Sequence, residues 1–193
     1  MPVFLSASVP DPKRNPQYFK SGHAMRIREA VTQLTRVLVA RDELVFGGHP
    51  AISPLVLTVA NQLNAASNVV IYQSEFFKAS IPTESMAFPH LKWTPEVQGQ
   101  REPSLLGMRE TMIGCRAFDA GFFLGGMEGV EEELEIFKRL NPTASVYPIA
   151  STGAAARLLF DRGEGPQDRQ LRRDLDRELV YGYLFKKLLA LVP

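Results

Sequence analysis

Short continuous apolar runs alternate along this chain with longer segments whose apolar residues recur every three or four positions. Runs of strand length without polar alternation suit strands covered on both faces, while the 3.6-residue period marks amphipathic helices. Strands are therefore predicted at Val3–Ser8, Glu43–Phe46, Asn68–Gln73, Gly121–Leu124 and Val146–Ala150, with a sixth around Leu91–Thr94. Ile27, Val31, Leu34 and Leu38 outline a helix, as do Ile52, Leu55, Val56, Val59 and Leu63. Ser104–Ile113 is a third, Val130, Leu134 and Phe137 line a fourth, and a short one runs from Gly153 to about Phe160. Pro10 to Pro16 reads as a proline-rich loop, and Ser74 to Gln100 is less regular.

This alternation predicts a Rossmann-like α/β fold: a doubly wound, mostly parallel sheet with helices on both faces. A single domain spanning 1–193 is expected, with its core at about 3–160. After a polar break at Arg162–Gln167, a charged C-terminal helix is expected over about 168–191. Leu171, Leu175 and Leu179 follow four-residue steps there, ahead of Tyr183, Leu184, Leu188 and Leu191. Such a stripe either packs on its own domain or forms a homo-oligomer surface.

Composition narrows the function classes. An apolar content of 45% supports a sizeable core and argues against disorder. The net charge of +1 implies neither nucleic acid nor an anionic membrane as partner. One cysteine, Cys115, excludes an intrachain disulfide and fits a reducing compartment. The N-terminus lacks the pattern of a signal peptide, so a cytoplasmic location is expected. His23, His49 and His90 do not have metal-ligand spacing, and no Walker lysine or G-x-G-x-x-G fingerprint is present. Neither a metal nor a cofactor is expected.

The candidate chemistry lies at two diglycine turns, Gly47-Gly48-His49-Pro50 and Gly125-Gly126-Met127-Glu128-Gly129. Each follows an apolar run and opens a helix, where free backbone N–H groups would meet a ligand at the sheet's carboxyl edge. Acidic residues in the second helix's first turn favour the macrodipole and disfavour phosphate. A carboxylate there suits ribose hydroxyls, which places sugar near Glu133. Phosphate then falls to the helix starts at Gly47–Ser53 or Ser151-Thr152-Gly153-Ala154-Ala155. Ser6 and Ser8, ending the first strand, belong to the same edge. His49 either contacts ligand or orients its loop.

Together these turns resemble the SLOG superfamily, which includes the LOG phosphoribohydrolases. LOG enzymes share a pattern of proline, two glycines, a spacer, glycine-threonine, two spacers and glutamate. Gly125, Gly126, Gly129, Val130 and Glu133 follow it with one inserted residue, Leu124 standing for proline and Val130 for threonine. Phe4–Ser8, Val45–Ile52, Gly125–Gly129 and Ala150–Gly153 look like the bacterial branch called SLOG cluster 3. The resemblance implies recognition of a nucleotide-derived signal such as ADP-ribose or a cyclic relative, in a defence or signalling context that leaves room for a separate effector protein.

LOG-type hydrolysis uses an arginine ahead of the second glycine turn and the glutamate within it. By that resemblance Glu133 takes the glutamate's place, and Arg109 or its neighbour Met108 the arginine's. Binding without turnover is the leading expectation. Phosphoribohydrolase activity through Glu133 and Arg109 is the alternative. A third reading is a scaffold that binds none of these ligands and loses assembly when Leu179 or Leu188 becomes charged.

Overall fold

The computed structural model describes residues 1–192. Its strands are β1 (Pro2–Ser8), β2 (Glu43–Gly47), β3 (Val69–Ser74), β4 (His90–Thr94), β5 (Ala120–Gly125) and β6 (Ser145–Ile149). They form one sheet in the order β4-β3-β2-β1-β5-β6, with every neighbouring pair parallel. The chain steps outward from β1 to β4, then returns to lay β5 on the free side of β1. That reversal creates a topological switch point between β1 and β5, where open α/β sheets bind ligands. The register aligns Ser6 with Phe123 and Ser8 with Gly125, so both strands end at one level.

Nine helices cover the sheet among the described residues: α1 (Pro16–Ser21), α2 (Ala24–Leu38), α3 (Ser53–Gln62), α4 (Thr83–Met86), α5 (Arg101–Ile113), α6 (Glu128–Leu140), α7 (Ala154–Asp161), α8 (Arg169–Arg177) and α9 (Tyr181–Leu189). Alternate residues along each central strand feed two cores. Val3, Leu5, Phe46, Ile71 and Leu124 pack with Ile27, Leu34, Val56, Leu184 and Leu188 on one face. Phe4, Val45, Tyr72 and Phe123 meet Met108, Met112, Val130, Leu134 and Phe137 on the other. This arrangement is the Rossmann-like doubly wound fold that the apolar runs predict.

Several elements depart from expectation. The proline-rich loop contains α1, because Pro16 occupies a first-turn position and Asn15 caps it by accepting from the Gln17 amide at 3.0 Å. The C-terminal segment is two helices. Glu178 adopts an extended conformation, and its Oε1 accepts from the Leu179 and Val180 amides at 2.9 and 2.8 Å. The stripe is consequently split: Leu184 and Leu188 are fully buried against the domain, whereas Leu179, Tyr183 and Leu191 are exposed. Ala150–Thr152 is a 3-10 turn rather than the end of β6, and Leu63 is partly exposed beyond α3. No helix among the described residues is long and apolar enough to cross a membrane.

Candidate functional site

Ser6 stands on β1 facing α6, two residues before the strand ends. Its Oγ donates to Glu133 Oε2 at 2.5 Å, joining positions 127 residues apart. From α5, Arg109 Nε reaches Glu133 Oε1 at 3.4 Å, and a second guanidinium nitrogen pairs with Glu132. Arg109 lies across Gly129, where a Cβ would come 2.6 Å from its terminal nitrogen. Gly129 is thus the residue that lets the guanidinium rest on the first turn of α6. Met108 instead turns into the core, its methyl 3.6 Å from where a Gly47 Cβ would be. Of the two candidates for the arginine's place, Arg109 is therefore the one that meets Glu133.

Burial pushes the Glu133 carboxyl above its ordinary range, while Arg109 and the Ser6 hydroxyl pull it back. A carboxylate with one donor on each oxygen keeps further lone pairs for ligand hydroxyls. The arrangement can accept hydrogen bonds from a polyol and can stabilise nearby positive charge.

The glycine turns differ from the sequence reading. The Gly125 amide donates to Thr152 Oγ1 and the Gly126 amide to the Ser8 carbonyl, both at 2.8 Å. Their φ values of +56° and +86° aim these groups inward, and Val130 packs over Gly126. The Gly48 amide likewise donates to the Tyr72 carbonyl at 2.9 Å. Gly48, Gly125 and Gly126 therefore shape the edge without offering open donors.

Neither helix start assigned to phosphate is open. At α3, the His49 amide bonds Ser53 Oγ, the Ala51 amide bonds His49 Nδ1, and the Ile52 and Ser53 amides bond the His49 carbonyl. At α7, Ala154 donates to Ser21 Oγ and Ala155 to the Gly126 carbonyl. Gly153 is covered by the backbone of Ser21, which a Cβ would strike at 1.8 Å. Ser151 and Thr152 are buried, with the Ser151 hydroxyl on Tyr181 and the Thr152 hydroxyl on the Ile149 carbonyl. At the start of α6 the amides of Met127, Glu128 and Gly129 have no partner among the described residues.

His49 orients its own loop through Nδ1, which leaves the ring proton on Nε2. Burial lowers its pKa below the ordinary 6.5, so the ring is neutral at pH 7. Beside it is a residue that sequence reasoning missed. Gln73, near the end of β3, is 5% exposed, and its amide has no hydrogen-bond partner among the described residues. The amide lies across Gly48, 2.1 Å from where a Cβ would be. The available signal was a polar residue following the apolar run Val69–Tyr72 at the carboxyl edge.

Residues 10–22 cross the start of α6 as a strap. Tyr18 donates to Glu131 Oε1 at 2.6 Å, while Arg14 and Asn15 bond Glu128 at 3.4 and 3.3 Å. Arg162 holds the other Glu131 oxygen at 2.5 Å. The acidic first turn of α6 thus binds the strap as well as complementing the helix dipole.

Residues 17–189 match the SLOG cluster3 family. The chain belongs to that family. The match spans every element from α2 to α9, so in this SLOG protein the glycine turns, Arg109 and Glu133 all fall within the family's region. No curated protein matches the chain.

Proposed function

We propose that this SLOG protein binds a ribose-bearing, nucleotide-derived ligand, such as ADP-ribose or a cyclic relative, and senses it without cleaving it. The observation carrying this reading is the Glu133 carboxylate, held by Ser6 and Arg109 beside the β1/β5 switch point. A fixed, buried acceptor at that edge suits a sugar's vicinal hydroxyls. Glu128, Glu131 and Glu132 around it disfavour bare phosphate, which argues for recognition through the sugar. The closed amides of Gly48, Gly125 and Gly126 and the carboxylates around the open start of α6 speak against the tight phosphate grip that cleavage of a nucleoside monophosphate would use.

Hydrolysis is the second reading, favoured by the Arg109–Glu133 contact itself. Native mass spectrometry with AMP, NAD, ADP-ribose and cyclic ADP-ribose, combined with an assay for released base, separates the two. Intact ligand is expected on the wild type, with no base released and binding about tenfold or more weaker in Glu133→Gln. Release of adenine or nicotinamide that stops in Glu133→Gln makes the protein an N-glycosidase.

A further inference from the structure

A groove of about 610 Å³ lies between α2 and α9 at the amino edge of the sheet, away from Glu133. Both helices run toward that edge. α2 ends at Leu38, ahead of β2, while α9 runs from Tyr181, which meets the Ser151 hydroxyl, to Leu189 beside Met1. The two helices approach closely at Gly182, where a Cβ would lie 3.1 Å from Gln33 Oε1. From Gly182 to Ala190 the groove spans about 12 Å of helix. Val37, Gly182 and Leu189 give it a partly buried apolar floor, and the rim carries the exposed Arg36, Arg41 and Lys186.

Asp42, the one acid on the groove, accepts from the Met1 amino group at 3.0 Å, and Lys187, next along α9, is paired with Asp174. Arg36, Arg41 and Lys186 are in no ion pair among the described residues. The chain's net charge is only +1, so this cluster of cations is local and not part of a generally basic surface. Small anions bind helices through free N–H groups at N-termini. Here both helices end, so the last carbonyls and the negative ends of the dipoles lie at this edge instead. Exposed cations also hold a single ion weakly in salt. A longer acidic segment engages several cations at once, keeps its carboxylates out at the rim, and lays apolar side chains on Val37 and Leu189.

We infer that the α2–α9 groove docks an acidic segment of a partner protein that also carries apolar side chains. The groove and Glu133 lie at opposite edges of the sheet and against different faces, so the inference stands apart from the ribose reading. Fluorescence anisotropy with labelled peptides of the groove's length tests it on the unmodified protein. A peptide of glutamate and leucine is compared with one of glutamate and serine, one of lysine and leucine, and inorganic tripolyphosphate. The glutamate–leucine peptide is expected to bind at least about tenfold more tightly than either control peptide, with an affinity that falls as salt rises. Arg36→Glu combined with Lys186→Glu should weaken it about tenfold or more. Arg169→Glu combined with Arg173→Glu makes the same charge change at exposed positions of α8, and should alter binding by less than about twofold. Circular dichroism checks that both double variants fold. Absence of binding by the glutamate–leucine peptide, equal binding of the two glutamate peptides, or equal loss in the two double variants overturns the inference. Tripolyphosphate binding more tightly than the peptide makes the groove a small-anion site and overturns it as well.

Discussion

Glu133 shows how much of the site depends on one side chain and its surroundings. Its position could be read from the spacing after Gly125-Gly126, and Ser6 and Arg109 could be named as candidates, but not their contacts with it or the choice of Arg109 over Met108. Ser6 and Arg109 lie 127 and 24 residues away, and only the packing of α5 and α6 beside β1 brings them in. The packing of the Gln73 side chain was invisible for a related reason, since it depends on the missing Cβ of Gly48 just past the neighbouring strand. The raised pKa of Glu133 has a stability consequence. The folded protein holds this proton more tightly than the unfolded chain, whose value is near 4.5. As pH rises above that value, the folded state binds more protons than the unfolded one, so this group's contribution to stability falls. Urea unfolding between pH 5 and 8 should show wild type losing stability relative to Glu133→Gln as pH increases. A constant difference across that range would show that Arg109 and Ser6 fully offset burial.

At the level of elements, the central strands and their helices were legible because burial on both faces leaves an unbroken apolar signal. Elements shaped by single capping interactions were not. Prolines around α1 suggest a loop until Asn15 and Pro16 are seen as cap and first turn, and Glu178 breaks the C-terminal segment by a bond that helical periodicity does not encode. The strap containing α1 depends on a few polar contacts to α6, with Tyr18 as its one buried aromatic anchor. Tyr18→Phe removes the hydroxyl while keeping the ring. It should loosen the strap by about 1–2 kcal/mol and raise limited proteolysis within residues 10–22 at least several-fold. An unchanged cleavage pattern would assign the anchoring to the ring and to Arg14 and Asn15 instead.

For the whole molecule, the C-terminal helices complete the core opposite the site. Leu188 is fully buried and Leu179 is 48% exposed, so the two leucines that the sequence places on one stripe have different roles. Leu188→Asp should destabilise the fold by more than about 4 kcal/mol in urea unfolding, whereas Leu179→Glu should stay within about 0.5 kcal/mol of wild type. Only the second variant can report on self-association, and sedimentation of wild type against Leu179→Glu is the suitable comparison. The return of the chain to β5 also fixes an order of assembly. β1 can pair with β2 early, because only the α1–α2 crossover separates them, but its other edge waits for a strand that begins at Ala120. Contacts so distant in sequence close late and slowly. During synthesis on the ribosome, a half-made chain ending before Glu133 therefore contains Ser6 and the first glycine turn but no site. The candidate site comes into being only when the second half docks, so ligand cannot template the first half of folding and can stabilise only the finished molecule.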